Sequence, residues 1–307
     1  MSNSNHRRNT ASRYHICYWP TWLAMGILKF ITLLYYPLQL TLGRGLGRLL
    51  LIVAKRRKHI AATNLRLCFP ELSEQAQRQL LKETFEAQAI GLIETANAWF
   101  TAPEKLRHRV TTHNIDVLHQ AAEKGNGVLM LGGHYTTLDL SASLLSLFCR
   151  YDAIYRQQKN PVIEHIMTTS RQRFLSGGQV IPQSDMRGVY KSLKSGHTLW
   201  YPPDQDYGAK HSEFVDFFGV KAATIKAPSR MIKQCAPAVI HCHHYRDKQG
   251  HYHIHFTDGS NINGNDTLAD CANINAHLEH TIRQHPEQYM WVHRRFKSRP
   301  ENSKKVY

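Results

Sequence analysis

Acidic side chains are the scarce class in this 307-residue chain: 23 Asp and Glu stand against 39 Lys and Arg, a formal net charge of +16 with His counted neutral. That excess points to an anionic partner, whether nucleic acid, anionic lipid or an acidic protein. Zinc-finger spacing, an RNA-recognition signature and a basic helix running into heptads are all missing, which weighs against nucleic acid. The six cysteines (Cys17, Cys68, Cys149, Cys235, Cys242 and Cys271) include no CxxC pair. Scattered in this way through a long chain, they suit buried thiols in a reducing compartment rather than a disulfide framework. Gly43, Gly45 and Gly47 lack both a preceding strand and a Lys-Ser/Thr ending, so they make no phosphate cradle. No small-residue cleavage site follows the first apolar run, which argues against a signal peptide.

The composition that remains, 42% hydrophobic and 20% charged, is that of a globular protein. Residues 1–17 read as a disordered basic N-terminus. Residues 18–42 are strongly apolar, with Lys29 the only charge, and carry Trp19, Trp22, Tyr35 and Tyr36 near the ends. The length and the aromatic placement predict a membrane-anchoring helix, with Pro37 and Lys29 allowing a shallow or tilted anchor instead of a clean span. Residues 43–307 then form a single α/β domain.

Within that domain the chain alternates short apolar runs with helical periodicity. Val128–Leu131, Tyr151–Arg156, Gln179–Pro182 and Gly196–Tyr201 read as strands. Helices are expected between them, and an amphipathic helix is capped by Ser73. This pattern predicts a mostly parallel central sheet flanked by helices. Ligands bind such sheets beyond the carboxyl ends of the strands. His134 follows the first run, Arg156 ends the second, and Asp204 and Asp206 follow Tyr201, so polar groups collect at one edge. Residues 209–222 read as an apolar loop around Phe214, Phe217 and Phe218. His241 and His243, and His251, His253 and His255, alternate along a hairpin and share a face; a polar strand face explains them better than a metal site. The closing run from His285 to Pro300 mixes aromatics with cations, including Arg294 and Arg295, and reads as an anion-binding patch or a solvated tail, with its Tyr and Trp arguing that it packs.

The stretch Gly127–Leu140 carries the chemistry. His134 sits at the lip of a turn after Val128–Leu131, and Asp139 opens the helix that follows. An imidazole accepts a proton from a hydroxyl, and a carboxylate fixes its tautomer and stabilises the imidazolium. Five residues apart, the two would not share a helix face, so His134 is expected on the loop with Asp139 reaching back.

Taken together, His134-x4-Asp139, Tyr155-Arg156 with Asn160-Pro161, Pro203-Asp-Gln-Asp-Tyr-Gly208 and Pro286-Glu-Gln-Tyr-Met-Trp-Val-His-Arg-Arg-Phe-Lys297 resemble the late (secondary) acyltransferases of lipid A biosynthesis, of the lauroyl/palmitoleoyl/myristoyl type. The likeness runs from Trp19 to the end. His-x4-acid alone is shared with glycerolipid acyltransferases, so a glycerolipid-acyltransferase-like fold is implied and another lipid acceptor is the alternative. Many members carry Glu where this chain has Asp139, which leaves the acyl chain and the acylated position open. The resemblance implies transfer of a fatty acyl group from acyl carrier protein to a hydroxyl of a phosphorylated, Kdo-bearing glycolipid, at the cytoplasmic face of the inner membrane and its anionic lipid. No metal or other cofactor is implied. His134 and Asp139 are then catalytic, and Arg156, Asn160, Asp204, Asp206, Arg294 and Arg295 bind substrate: Arg156 a phosphate, and Asp204 and Asp206 either sugar hydroxyls or Arg156 itself.

Overall fold

A computed structural model describes residues 13–175 and 177–307, so most of the expected disordered N-terminus lies outside the described residues. Four helices come first: α1 (Trp19–Ile31), α2 (Tyr36–Val53), α3 (Lys55–Cys68) and α4 (Glu74–Phe100). Ser73 caps α4 by accepting from the Ala76 amide at 3.2 Å, which satisfies one of the orphan donors of its first turn. The expected anchor helix over 18–42 is instead two helices, and the boundary at 42/43 falls inside the second. Pro37 is the reason: it stands at the start of α2, where its ring is tolerated, and it would break a helix arriving from Ile31. Among the described residues no helix is long and apolar enough to cross a membrane.

The α/β unit follows as β1 (Val110–His113), α5 (Ile115–Glu123), β2 (Val128–Leu131), α6 (Leu138–Leu145), β3 (Asp152–Tyr155), α7 (Pro161–Phe174), β4 (Val180–Pro182), α8 (Met186–Lys194) and β5 (Thr198–Tyr201). Next come a two-stranded hairpin, β6 (Ser212–Phe217) and β7 (Val220–Ile225), then α9 (Ala227–Cys235), β8 (Ala238–Arg246), β9 (Tyr252–Asp258) and α10 (Thr267–Gln284). The order in the main sheet is β1-β9-β8-β2-β5-β3-β4. Its pairs are parallel except β8 with β9. The expected mostly parallel sheet with covering helices is present. The apolar stretch 209–222 is not a loop: Phe214 and Phe217 lie on an antiparallel strand and Phe218 makes the turn with φ 54°.

β2 is the centre of the sheet, and all four of its residues are buried. Gly132, just after it, is small because of a close approach: a Cβ there would lie 2.6 Å from Trp200 Nε1. The core on one sheet face is filled by Leu129, Leu199, Phe217, Trp291 and Phe296, so the closing segment packs beneath the site. A buried ion pair between Glu94 and Arg246, joined by the Tyr252 hydroxyl, ties α4 to the two strands of the antiparallel pair.

Candidate active site

Parallel pairing of β2 with β5 puts Leu131 opposite Tyr201. Three residues beyond each partner stand His134 and Asp204, so the register alone delivers the two side chains to one place. The His134 amide donates to Asp204 Oδ2 at 2.8 Å, and His134 Nδ1 lies 2.6 Å from Oδ1 of the same carboxylate. The Tyr289 hydroxyl donates to Oδ2 at 2.9 Å. An ionised carboxylate only accepts, so Nδ1 carries its proton toward Asp204 and Nε2 is left with a free lone pair. Burial pulls the His134 imidazole toward lower pKa, but the charge and hydrogen bond of Asp204, together with the charge of Asp139, outweigh it and the net shift is upward. Asp204 is buried, which by itself raises a carboxyl pKa. The charge and hydrogen bonds of His134, with the Tyr289 bond, reverse this and hold it well below the usual carboxylate range.

Asp139 does not hold the imidazole, contrary to expectation. It lies in the first turn of α6, where its Oδ1 accepts from Arg171 Nη2 at 2.7 Å and its Oδ2 from Thr95 Oγ1 at 3.1 Å. A guanidinium offered from α7 captures a carboxylate more strongly than a neutral imidazole can. Asp139 therefore acts on His134 through its field alone.

His134, Asp139, Arg156 and Arg171 line one cavity of about 430 Å³. Its wall is largely apolar, with Leu138, Ala142, Leu145, Met167, Leu175 and Ile254. Arg156 is exposed, and Tyr207 and Met186 line the cavity beside it. A volume in this range, apolar with few polar groups, suits an extended hydrocarbon beside a reacting polar end.

The other expected site residues lie elsewhere. Asn160 caps α7, its Oδ1 accepting from the Val162 and Ile163 amides at 3.0 and 3.4 Å, while its Nδ2 donates to Thr21. Asp206 is buried: it accepts from the Gly208 and Ser298 amides and the Ser298 hydroxyl. Loop 202–208 is thus fastened to the closing segment, and the Asp206 carboxylate, fully enclosed, is out of reach of a sugar. Arg295, 1% exposed, donates to Ala223 O at 2.6 Å and Thr224 Oγ1 at 2.9 Å and stacks on Phe217. It is a core residue, because the hairpin β6–β7 presents these acceptors beneath it. Arg294 lies over the Tyr307 ring, outside the cavity. The chain folds Arg294 and Arg295 into its C-terminal packing and not into an anion patch.

Thr95, Arg171 and Tyr289 were not singled out by sequence reasoning. Tyr289 stood in the closing motif; Arg171 and Thr95 carry no local signal. The strand histidines His113 and His255 stack ring on ring at 4.0 Å between centroids, and His241 stacks on His277 of α10 at 3.7 Å. Among the described residues, no group of three His, Cys, Asp or Glu is arranged to hold a metal ion.

Comparison with known proteins agrees with this geometry. Residues 7–298 match the family described as bacterial lipid A biosynthesis acyltransferase. Over 290 residues, 94% of both chains, the protein is 36% identical to the lipid A biosynthesis lauroyltransferase of Escherichia coli K12. It is 33% identical to the palmitoleoyltransferase of the same organism over 95% of this chain and 96% of that one, and 30% identical to the myristoyltransferase over 93% and 89%. The chain belongs to the bacterial lipid A biosynthesis acyltransferase family, and it is an acyltransferase.

Proposed function

We propose that the protein transfers a fatty acyl chain from acyl carrier protein to a hydroxyl of a Kdo-bearing lipid A precursor, at the cytoplasmic face of the inner membrane. The observation that carries this reading is the His134–Asp204 pair at the polar end of an apolar cavity. The acyl chain lies against Ala142, Leu145 and Met167, which brings the thioester carbonyl to His134. The acceptor hydroxyl gives its proton to Nε2 as its oxygen attacks that carbonyl carbon, and a tetrahedral oxyanion forms. Asp204 holds the imidazole in the required tautomer and offsets the imidazolium charge, the part a buried carboxylate plays beside a catalytic histidine. Collapse of the oxyanion expels the thiolate, which takes the proton from Nε2 and leaves the ester. Arg171, fixed by Asp139, is a cation beside the developing negative charge. Arg156, exposed at the cavity, meets a phosphate of donor or acceptor. The excess of basic residues suits an acidic carrier protein, a phosphorylated glycolipid and an anionic leaflet.

The test is an acyl-transfer assay with acyl carrier proteins of several chain lengths and the tetra-acylated Kdo-lipid A precursor, product read by mass. Wild type yields a product heavier by one acyl group, and His134→Ala loses roughly a hundredfold or more of the rate. Turnover on a glycerolipid but not on this precursor would move the assignment to another lipid acceptor. Turnover with acyl-coenzyme A alone would remove the carrier protein.

A further inference from the structure

Tyr289 donates to Asp204, yet the acyl-transfer steps leave it without a part. Its ring needs no hydroxyl to be held: it packs edge to face on Tyr135 at 5.9 Å and on Trp291 at 4.9 Å between centroids. The residue is buried, and a buried hydroxyl costs stability unless it is bonded. This one is bonded to Asp204 Oδ2 at 2.9 Å. Tyr289 is not part of the cavity lining, so whatever its hydroxyl does for the reaction passes through Asp204.

The closing segment fixes that hydroxyl from several sides. Tyr289 bridges Tyr135 as an antiparallel pair. Beside the bridge, the Thr136 amide donates to Gln288 O at 2.7 Å and the Met290 amide to His134 O at 3.0 Å. The Gln288 side chain is bonded both ways to the Arg246 backbone, at 2.9 and 2.8 Å, which ties the segment to the end of β8. Trp291 O accepts from Asn64 Nδ2 of α3 at 2.7 Å. Further on, Ser298 holds Asp206 and with it loop 202–208. One segment is thus joined both to the turn that carries His134 and to the loop that carries Asp204.

The donors divide the carboxylate unequally. Oδ2 takes the His134 amide and the Tyr289 hydroxyl, and Oδ1 faces Nδ1 at 2.6 Å. So short a contact favours passage of the Nδ1 proton to the carboxylate. Donors on the far oxygen oppose this, because each bond to the charged form of a carboxylate lowers its basicity. Tyr289 keeps its own proton: burial, then the charge of Asp204, lifts the phenol far above its ordinary value.

We infer that Tyr289 is a positioning residue for acyl transfer: its hydroxyl pins Asp204 Oδ2, keeps the Nδ1 proton on the imidazole and sets how firmly the carboxylate holds the imidazolium. The inference deepens the proposed function and rests on it for the part that His134 plays. Other titratable groups face the three residues. Asp139 and His244 face His134, Arg295 and Tyr135 face Tyr289, and His293 and Tyr207 face Asp204. Burial pushes His244 down to about 3 and His293 to about 4, and it raises Tyr135 and Tyr207. Those four therefore keep one charge state near neutrality, where His134 is read.

The first experiment needs no turnover. The full chain, carrying isotope-labelled histidine, is titrated by NMR, and the His134 signal is the one missing from His134→Gln. Tyr289→Phe removes the hydroxyl and leaves the ring. Asp204 then holds the imidazolium more firmly, and the His134 titration is expected to move up by about half a pH unit or more. Difluorotyrosine in place of Tyr289, a stronger donor of nearly the same shape, is expected to move it down. In acyl transfer the acid limb of kcat/KM follows the same two directions. Tyr289→Phe also lowers the plateau kcat roughly tenfold with KM within about twofold. A titration unmoved in both variants, or moved the same way in both, overturns the inference. If Tyr289→Phe melts well below wild type, the difluorotyrosine protein decides alone. Absent transfer with the titration displaced as expected removes the assigned donor or acceptor, and not the hold of Tyr289 on the pair.

Discussion

Replacing Asp204 by Asn separates the charge of the carboxylate from its shape. Asp204 accepts from the His134 amide, from His134 Nδ1 and from the Tyr289 hydroxyl. An amide has one oxygen, so at least one of the two His134 donors then faces an NH₂ group. Two changes follow. The imidazole loses the carboxylate that selects its Nδ1–H tautomer, and it loses the charge that outweighs burial in raising its pKa. At contact distance that charge pair is worth on the order of 4 kcal/mol at an effective dielectric of about 20, or roughly a thousandfold in the rate of a step that creates the imidazolium. Asp204→Asn is therefore expected to lower kcat about a thousandfold and KM little, and to move the acid limb of the pH–rate profile to lower pH. The assay is acyl transfer across a pH series, beside Asp139→Asn. Asp139 touches Arg171 and Thr95, not His134, and its loss is expected to cost on the order of tenfold. If Asp139→Asn is the more damaging of the two by an order of magnitude while both variants melt as wild type does, the proton is not handled by the His134–Asp204 pair and the reasoning fails.

Three further outcomes follow from the same geometry. Arg295→Met leaves Ala223 O without this buried donor and Thr224 Oγ1 with Asn275 Nδ2 alone, and is expected to destabilise the fold by about 2–4 kcal/mol, read by denaturant melt. Full stability with lost activity would instead return Arg295 to the substrate. Burial, then neighbouring imidazoles, depress His243 to about 3 and His255 and His277 to about 4. A depressed histidine keeps its full contribution above the unfolded value of about 6.5 and loses it as pH falls from there toward 4. Tm should drop steeply over that window, and less so in His243→Phe with His255→Phe; an identical pH dependence in that variant would dissociate the ladder from acid lability. Ala142→Phe narrows the apolar cavity and should shift preference toward shorter acyl donors by roughly tenfold or more, measured by competition between carrier proteins; an unchanged preference would place the acyl chain elsewhere.

Much of the fold was readable because it rests on local pattern. Val128–Leu131 reads as a buried strand from its unbroken apolar run, and all four residues are buried. The apolar stretch 18–42 shows the limit of hydropathy. It scores by composition, but Pro37 divides it, and more than half of the second helix lies beyond residue 42, where Gly43 and Gly47 serve close contact with α4. Arg295 misled in the same way: a cation in a basic run reads as an anion binder, and only the folded hairpin β6–β7 supplies the carbonyl and hydroxyl that bury it.

The site was harder to read, for a reason that can be located. His-x4-Asp is a local spacing, and it does place Asp139 near His134, since that charge is felt at the imidazole. Which carboxylate forms the hydrogen bond is decided by strand order. β2 and β5 are neighbours although β3 and β4 lie between them in sequence; nothing in either run states this. Once they are paired with Leu131 opposite Tyr201, equal steps of three residues bring His134 and Asp204 together, and Arg171 from α7 removes Asp139 from the competition. The two acids are then divided by burial and partner. Asp204, enclosed and bonded to the imidazole, governs the proton in the proposed mechanism. Asp139, held by a guanidinium at the cavity wall, positions a cation. A Glu in place of Asp139 reaches one methylene further toward that guanidinium and leaves the imidazole bond untouched, so Asp139→Glu is expected to retain the pH profile of wild type and alter KM. A displaced pH profile in that variant would mean that the first acid of the motif, and not Asp204, sets the basicity of His134.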